Sequence, residues 1–239
     1  MATPQISSGS MLLGIHPPVF ELPAATRIGR VRLAVSSLGR SLAFYGGLIG
    51  LSVLERSAQF AQLGAGGRIL LELEEQPGLI PLGRSPRLGL YHTAFLLPRR
   101  EELSSLIRHL RRHTVPFAAS DHSVSEALYL TDPDGLSVEV YADRDSSVWP
   151  NDGRELLIDS KPLRFAGLPA VAENSWQGAP AGTRVGHMHF CIANLKIGAD
   201  FYHAALGLNI MTWRYPGALF LSAGSVMHAM GGELDIRNV

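Results

Sequence analysis

Residues 121–141 read DHSVSEALYLTDPDGLSVEVY, a strand, a tight turn and a second strand. Asp132-Pro133-Asp134-Gly135 joins a proline that presets φ to a glycine that tolerates left-handed backbone, so it splits strands near 124–130 and 136–141. In the second strand, alternation puts Ser137, Glu139 and Tyr141 on one face and Val138 and Val140 on the other. A strand carboxylate is costly to bury unless a cation or hydrogen-bond donors compensate it. His122 and Tyr129 lead into the strand before Glu139, and His92 stands in an earlier strand, 88–97. Two imidazoles with one carboxylate suit Fe(II) and leave positions open for substrate and dioxygen. A further histidine beside the metal can move a proton.

Outward from this segment the pattern is regular. Val31, Leu33 and Val35 alternate with Arg32 and Ala34 as a half-buried strand. Ser37 offers an N-cap to a helix carrying Leu38, Leu42 and Tyr45 and stopping at Gly46 and Gly47. Strands follow at 51–56, 59–63 and 68–74, with 64–67 a hairpin turn. That glycine cluster is no phosphate loop, because no Lys-Ser/Thr follows it. After a Pro/Gly-rich connection, 77–86, comes the 88–97 strand and a helix over 99–113 with Leu103, Leu106, Ile107 and Leu110 on one face. Arg108, Arg111 and Arg112, with His109 and His113, form its solvated side. Both blocks read as β-α-β-β-(β).

The chain then repeats itself. Leu38, Phe44, Tyr45, Gly50 and Leu51 recur as Leu195, Phe201, Tyr202, Gly207 and Leu208, all at an offset of 157 residues. Long-period self-similarity is a fold-level signal. The organisation expected is an arm over 1–26, a first domain of two modules over 27–143, a linker over 144–183, and a second domain over 184–239.

Composition bounds the function. The 239 residues hold 21 Lys+Arg against 21 Asp+Glu, and zero net charge argues against a nucleic-acid partner, which needs a basic footprint. Hydrophobic residues at 46% support a packed core. No apolar run is long enough to span a bilayer, and the start MATPQISSGS lacks the charged and apolar regions of a signal peptide, so a cytoplasmic, membrane-free protein is expected. A single cysteine, Cys191, excludes an internal disulfide framework and a cysteine zinc cage.

The run His122, Leu128-Tyr129, Asp132-Pro133, Gly135, Glu139 resembles the signature of extradiol ring-cleaving dioxygenases. With the repeated Phe-Tyr and Gly-Leu elements, the wider pattern over about 27–224 is similar to the vicinal oxygen chelate superfamily of glyoxalases, bleomycin-resistance proteins and extradiol dioxygenases. The resemblance implies an α+β fold in which paired βαβββ modules form curved mixed sheets around a metal and ligand cleft. It also implies Fe(II), with Mn(II) as the alternative, a small aromatic substrate and dioxygen. Carried over residue by residue, His92 and Glu139 are metal ligands, His122 handles protons and Tyr129 orients the substrate hydroxyls.

One ligand position departs from the pattern. The first-module histidine falls on Arg30, whose guanidinium has no lone pair for a metal. His187, His189 and Glu72 are the candidates to complete the site. His187, Arg30's counterpart at the 157-residue offset, is carried forward as the third ligand.

Plainer readings compete with these. Glu72 and Glu74 share a strand face that reads as solvent-exposed, and His187 and His189 read equally well as surface histidines. Tyr129 could be a core aromatic, and Cys191 buried and inert. A metal-dependent glyoxalase or thiol transferase, or a non-catalytic binder of small aromatics or drugs, are the alternative functions, the last favoured by Arg30. The equivalent of Glu139 in the second copy would fall at position 296, beyond residue 239. Residues after Gly224 show no evident strand, so the last module is expected to be truncated and to expose an unpaired edge and an apolar face, which makes poor solubility or a homo-oligomer joined through them the expectation.

Overall fold

A computed structural model describes residues 13–81, 87–224 and 233–238. The beginning of the arm, the end of the 77–86 connection and residues 225–232 lie outside this described set.

The strand–helix–strand pattern occurs three times. The first module is β1 (Val31–Val35), α1 (Leu38–Leu42), β2 (Ser52–Arg56), β3 (Phe60–Ala65) and β4 (Arg68–Glu75). The second is β5 (Gly89–Leu97), α2 (Arg100–Arg112), β6 (Ala118–Asp121), β7 (Ser125–Thr131) and β8 (Ser137–Asp143). Its second strand, β6, goes unseen in the sequence pattern. After a short β9 (Lys161–Pro162), the third module is β10 (Arg184–Ile192), α3 (Leu195–Ala199), β11 (Asn209–Thr212), β12 (Ala218–Ser222) and β13 (Glu233–Asn238). In each module the first strand pairs in parallel with the last, and the others follow antiparallel.

The repeat has a backbone cause. α1 and α3 both run into a π-helical turn, Ala43–Leu48 and Asp200–Ala205, and a glycine then reverses the chain. Gly50 (φ +84°) and Gly207 (φ +90°) sit in the left-handed region, which a side chain disfavours. A Cβ on either would also lie 2.6 Å from backbone atoms of another segment.

Two expectations about organisation need correction. Residues 233–238 form a strand, although the sequence after Gly224 was expected to hold none. The third module is also not left with a bare first strand. β10 lies antiparallel against β5, fusing the second and third modules into one nine-stranded sheet ordered β11-β12-β13-β10-β5-β8-β7-β6-β9. The first module keeps its own four-stranded sheet, β1-β4-β3-β2. The pairing of β5 with β10 is non-local, and no periodicity encodes it.

One apolar core joins the two sheets. Val31, Leu33, Leu71 and Leu73 of the first module pack in the same cluster as Leu103, Leu106 and Leu110 of α2 and Phe95, Val138 and Val140 of the second sheet. At the polar end Tyr45 donates to Asp132 at 2.9 Å, and Asp132 Oδ1 accepts from the backbone of Asp134 and Leu136. The tight turn read in the sequence is thus tied to the first module's helix. Val138 and Val140 face this core, so the opposite face of β8 turns toward the concave side of the large sheet.

The segment expected to be a plain linker is structured. Trp149 and Leu156 pack with Val124 and Met211, and β9 adds to the edge of β6. The described part of the arm is also held down. Ile15 bridges to Ile210, and Asn209 donates to Glu21 at 2.7 Å.

Candidate metal centre

The concave face of the nine-stranded sheet carries a cavity of about 600 Å³. Its floor is built by strand alternation. β5 contributes His92, β8 contributes Ser137, Glu139 and Tyr141, and β10 contributes His187 and His189. The two modules meet at the β5–β10 pair, where His189 lies across from His92 and His187 across from Ala94. That register brings together groups far apart in the chain.

His92, Glu139 and His187 converge. His92 Nε2 lies 3.1 Å from His187 Nε2 and 3.0 Å from Glu139 Oε2, and His187 Nε2 lies 3.2 Å from the same oxygen. All three side chains are buried, and among the described residues they form a group able to hold a metal ion. Cis donors on an octahedral ion with bonds of about 2.1 Å lie about 3.0 Å apart, so the spacing fits one face of such an ion. Two imidazole nitrogens facing each other this closely with one carboxylate suit a shared cation.

The electrostatics favour the ligand forms. Burial lowers the pKa of His92, which keeps its ring neutral. Glu139 is pushed up by burial, but His187 and His92 beside it more than offset this and hold it well below the usual carboxylate range. A neutral imidazole and an ionised carboxylate are what a cation requires. Burial, aided by the neighbouring His92 and His187, lowers His189 to about 2. Asp235 of β13, 3.7 Å from His187 Nε2, is raised by burial to about 7.

Beside the trio sits a second pair. Tyr129 is the cross-strand neighbour of Glu139, and its hydroxyl lies 2.7 Å from His122 Nε2. His122 Nδ1 lies 2.8 Å from the carbonyl oxygen of Asp159. A carbonyl only accepts, so Nδ1 carries the proton and Nε2 is left to accept from the Tyr129 hydroxyl. Burial, reinforced by the Glu139 charge, raises the Tyr129 pKa far above the usual phenol range. Tyr129 is a donor here and stays protonated.

The walls are apolar. Val124, Trp149, Leu156 and Ile158 pack together in its lining, and Tyr215 and Phe220 of the third module, whose rings meet edge to face, line it as well. The sequence reading passed over these walls because three of the residues lie in the segment taken as a linker. It also passed over Asp235, although Glu233-Leu-Asp-Ile-Arg-Asn alternates polar and apolar residues as a strand does.

The five residues singled out in the sequence, His92, His122, Tyr129, Glu139 and His187, all line this one cavity. His187 and His189 do not lie on an outer surface. Glu72 is not solvent-exposed either and stands in the other sheet, buried and paired with Arg30 at 3.1 Å and Arg32 at 2.9 Å. Arg30 therefore intrudes on no part of the cavity. Among the described residues no helix is long and apolar enough to cross a membrane.

Comparison with known proteins agrees with this architecture. Residues 27–140 match the model of the Glyoxalase/Bleomycin resistance protein/Dioxygenase superfamily. A catechol-2,3-dioxygenase of Bacillus subtilis (strain 168) is 41% identical over 211 residues, covering 86% of this chain and 74% of the relative. The crystal structure of a dioxygenase candidate from Bacillus subtilis superposes with a TM-score of 0.55 at 16% identity, over 89% of this chain and 64% of that one. A glyoxalase/dioxygenase from Nostoc punctiforme is 23% identical with a TM-score of 0.44, over 50% of this chain and 92% of its own. The fold of paired modules and the extent of the match to the Bacillus relative establish that the chain belongs to the glyoxalase/bleomycin resistance/dioxygenase superfamily.

Proposed function

We propose that this chain is an extradiol-type dioxygenase that opens a catechol-like ring with dioxygen at a non-haem divalent metal, Fe(II) or alternatively Mn(II). The observation that carries the reading is the convergence of His92, Glu139 and His187 at 3.0–3.2 Å in the cavity that also presents His122 and Tyr129. The 41% identity to a protein named catechol-2,3-dioxygenase supports it.

His92, Glu139 and His187 would hold the metal. Bound there, it would supply a Lewis-acidic centre that acidifies the ring hydroxyls and gathers both reactants. The rest is the work of the chain. His122 keeps Nδ1 protonated against Asp159, so Nε2 is the basic nitrogen and takes a proton from a substrate hydroxyl. Tyr129, held protonated, donates a hydrogen bond to the oxygen that results. Trp149, Leu156, Ile158, Tyr215 and Phe220 give the ring apolar surroundings that exclude water, which strengthens each of these polar contacts. Arg30, in the other sheet, leaves the trio untouched, which removes the main support for a non-catalytic binder.

The test is direct. Apoprotein loaded anaerobically with Fe(II) should consume oxygen and turn catechol into a yellow ring-opened product. Glu139→Ala should abolish the reaction, and His122→Ala should lower kcat by about 10²- to 10⁴-fold while keeping the metal. Wild-type activity in both variants would end the proposal.

A further inference from the structure

We infer that Arg237 recognises a carboxylate on the ring, so that the substrate is a catechol bearing an anionic side group in preference to catechol itself. The inference rests on the dioxygenase reading above and names the substrate class of the same cavity.

The charges of the cavity point to it. Glu139, Asp143 and Asp235 line the cavity, and among the described residues Arg237 is the one lysine or arginine that does so. Arg237 lies two residues beyond Asp235 on the same face of β13 and stands opposite Cys191 of β10. Yet it neutralises none of these carboxylates. Among the described residues its neighbours are Cys191 and Tyr91. A half-buried cation with no carboxylate beside it favours an anionic ligand over a neutral one.

Its posture suits a planar anion. The guanidinium carbon sits 3.7 Å from the centre of the Tyr91 ring, so the ring backs one face of the group and fixes its plane. Nε donates to Cys191 Sγ at 3.4 Å, which leaves Nη1 and Nη2 without a carboxylate partner among the described residues. Two N–H groups at the end of a held guanidinium match the two oxygens of a carboxylate.

Its place suits the ring. The centre of the Tyr91 ring lies 5.3 Å from that of His92 and 5.1 Å from that of His189. After burial and the charges of His92 and His187, the charge of Arg237 is a further cause of the low His189 pKa. The guanidinium is thus within reach of a ring whose hydroxyls point at His92, Glu139 and His187 and whose carboxylate points away from them. Tyr91, Ser137 and Arg237 also line a second cavity of about 590 Å³, so a substituent at this end of the ring has room.

The experiment is anaerobic titration calorimetry on the full chain loaded with Fe(II). Catechol is compared with protocatechuate, the same ring with one carboxylate added. Wild type should bind protocatechuate at least about tenfold more tightly, as one charge-assisted contact provides. Arg237→Met should shrink that ratio to about twofold or less, by weakening the carboxylated ring far more than catechol. Arg237→Lys keeps the charge without the fork and should retain part of the preference. A ratio as large in Arg237→Met as in wild type would overturn the inference, because the preference would then come from the ring or the metal. A wild type that prefers catechol would overturn it too. A chain that retains no iron would overturn the dioxygenase reading, and benzoate against benzyl alcohol on the metal-free chain would then test Arg237 by the same ratio. If Arg237→Met does not fold, Arg237→Gln decides.

Discussion

The first module and the second are built on the same backbone plan, yet one is closed by an ion pair and the other is open to a cation. In both, the last strand places a carboxylate opposite the residue two beyond a particular first-strand position. Glu72 lies opposite Arg32, two beyond Arg30, as Glu139 lies opposite Ala94, two beyond His92. In the first module that position carries a guanidinium, and Arg30, Arg32 and Gln62 satisfy Glu72 at 2.9–3.1 Å. In the second it carries an imidazole, whose Nε2 lies 3.0 Å from Glu139 and, when deprotonated, can offer its lone pair to a cation. One residue type turns the same geometry from a self-neutralised pair into a site that lacks a charge. A cationic donor supplies its own counter-ion, and a neutral donor requires one from solution.

Three perturbations break or sharpen this contrast, in falling order of effect. His92→Ala removes the neutral donor, and bound metal measured by elemental analysis should fall from about one per chain to near zero, with ring cleavage lost alongside. Retention of near-stoichiometric metal would mean that the trio is not the site.

Arg144→Met tests an ordinary ion pair near the site. Arg144 binds Asp121, the residue before His122, at 2.6 Å and buried Glu126 at 2.9 Å, while Arg100 still holds Glu126 at 2.7 Å. The Asp121 pKa falls from 3.8 to about 2, chiefly through its hydrogen bond to Arg144. A lowered carboxyl pKa means that the stabilisation is complete above the ordinary value and is lost as pH falls through the folded one. Both groups are partly solvated, so about 1 kcal/mol is expected. Urea unfolding at pH 6 should show that loss in Arg144→Met, and the gap to wild type should close between about pH 4 and pH 2. A gap independent of pH would assign the effect to packing.

Arg30→His is the smallest change and the sharpest comparison. It recreates the imidazole, but among the described residues no second module pairs along β1 in this sheet to bring further donors. Metal content should stay at the wild-type value. A second equivalent of metal would show that one module is enough.

Much of the fold was legible from local pattern. Val138 and Val140 point into the core and Glu139 away from it, as strand alternation requires, and the helix carrying Leu103, Leu106 and Leu110 buries that face. The Asp132–Gly135 turn fell where proline and glycine allow it. Short or mixed strands were lost. β6 is four residues long with none of them buried, and β13 owes its place to partners on both sides. The burial of Glu72 was also out of reach, because a glutamate on an alternating strand reads as wet until the arginines beside it are located in space.

By itself the sequence determined the modular βαβββ plan and the chemical types at the site, since these follow from periodicity, turn residues and the lone pairs that side chains carry. It named His92, His122, Tyr129 and Glu139 within one stretch, and found His187 through the repeat. The tertiary structure alone decided which modules share a cavity. Backbone hydrogen bonds between β5 and β10 set one histidine against another across 95 residues of chain. Pairing of that range depends on which strand edges are left open once each module has closed, and on the core that holds them in place. Arg30 was thereby placed outside the cavity, and Asp235 was brought into its lining.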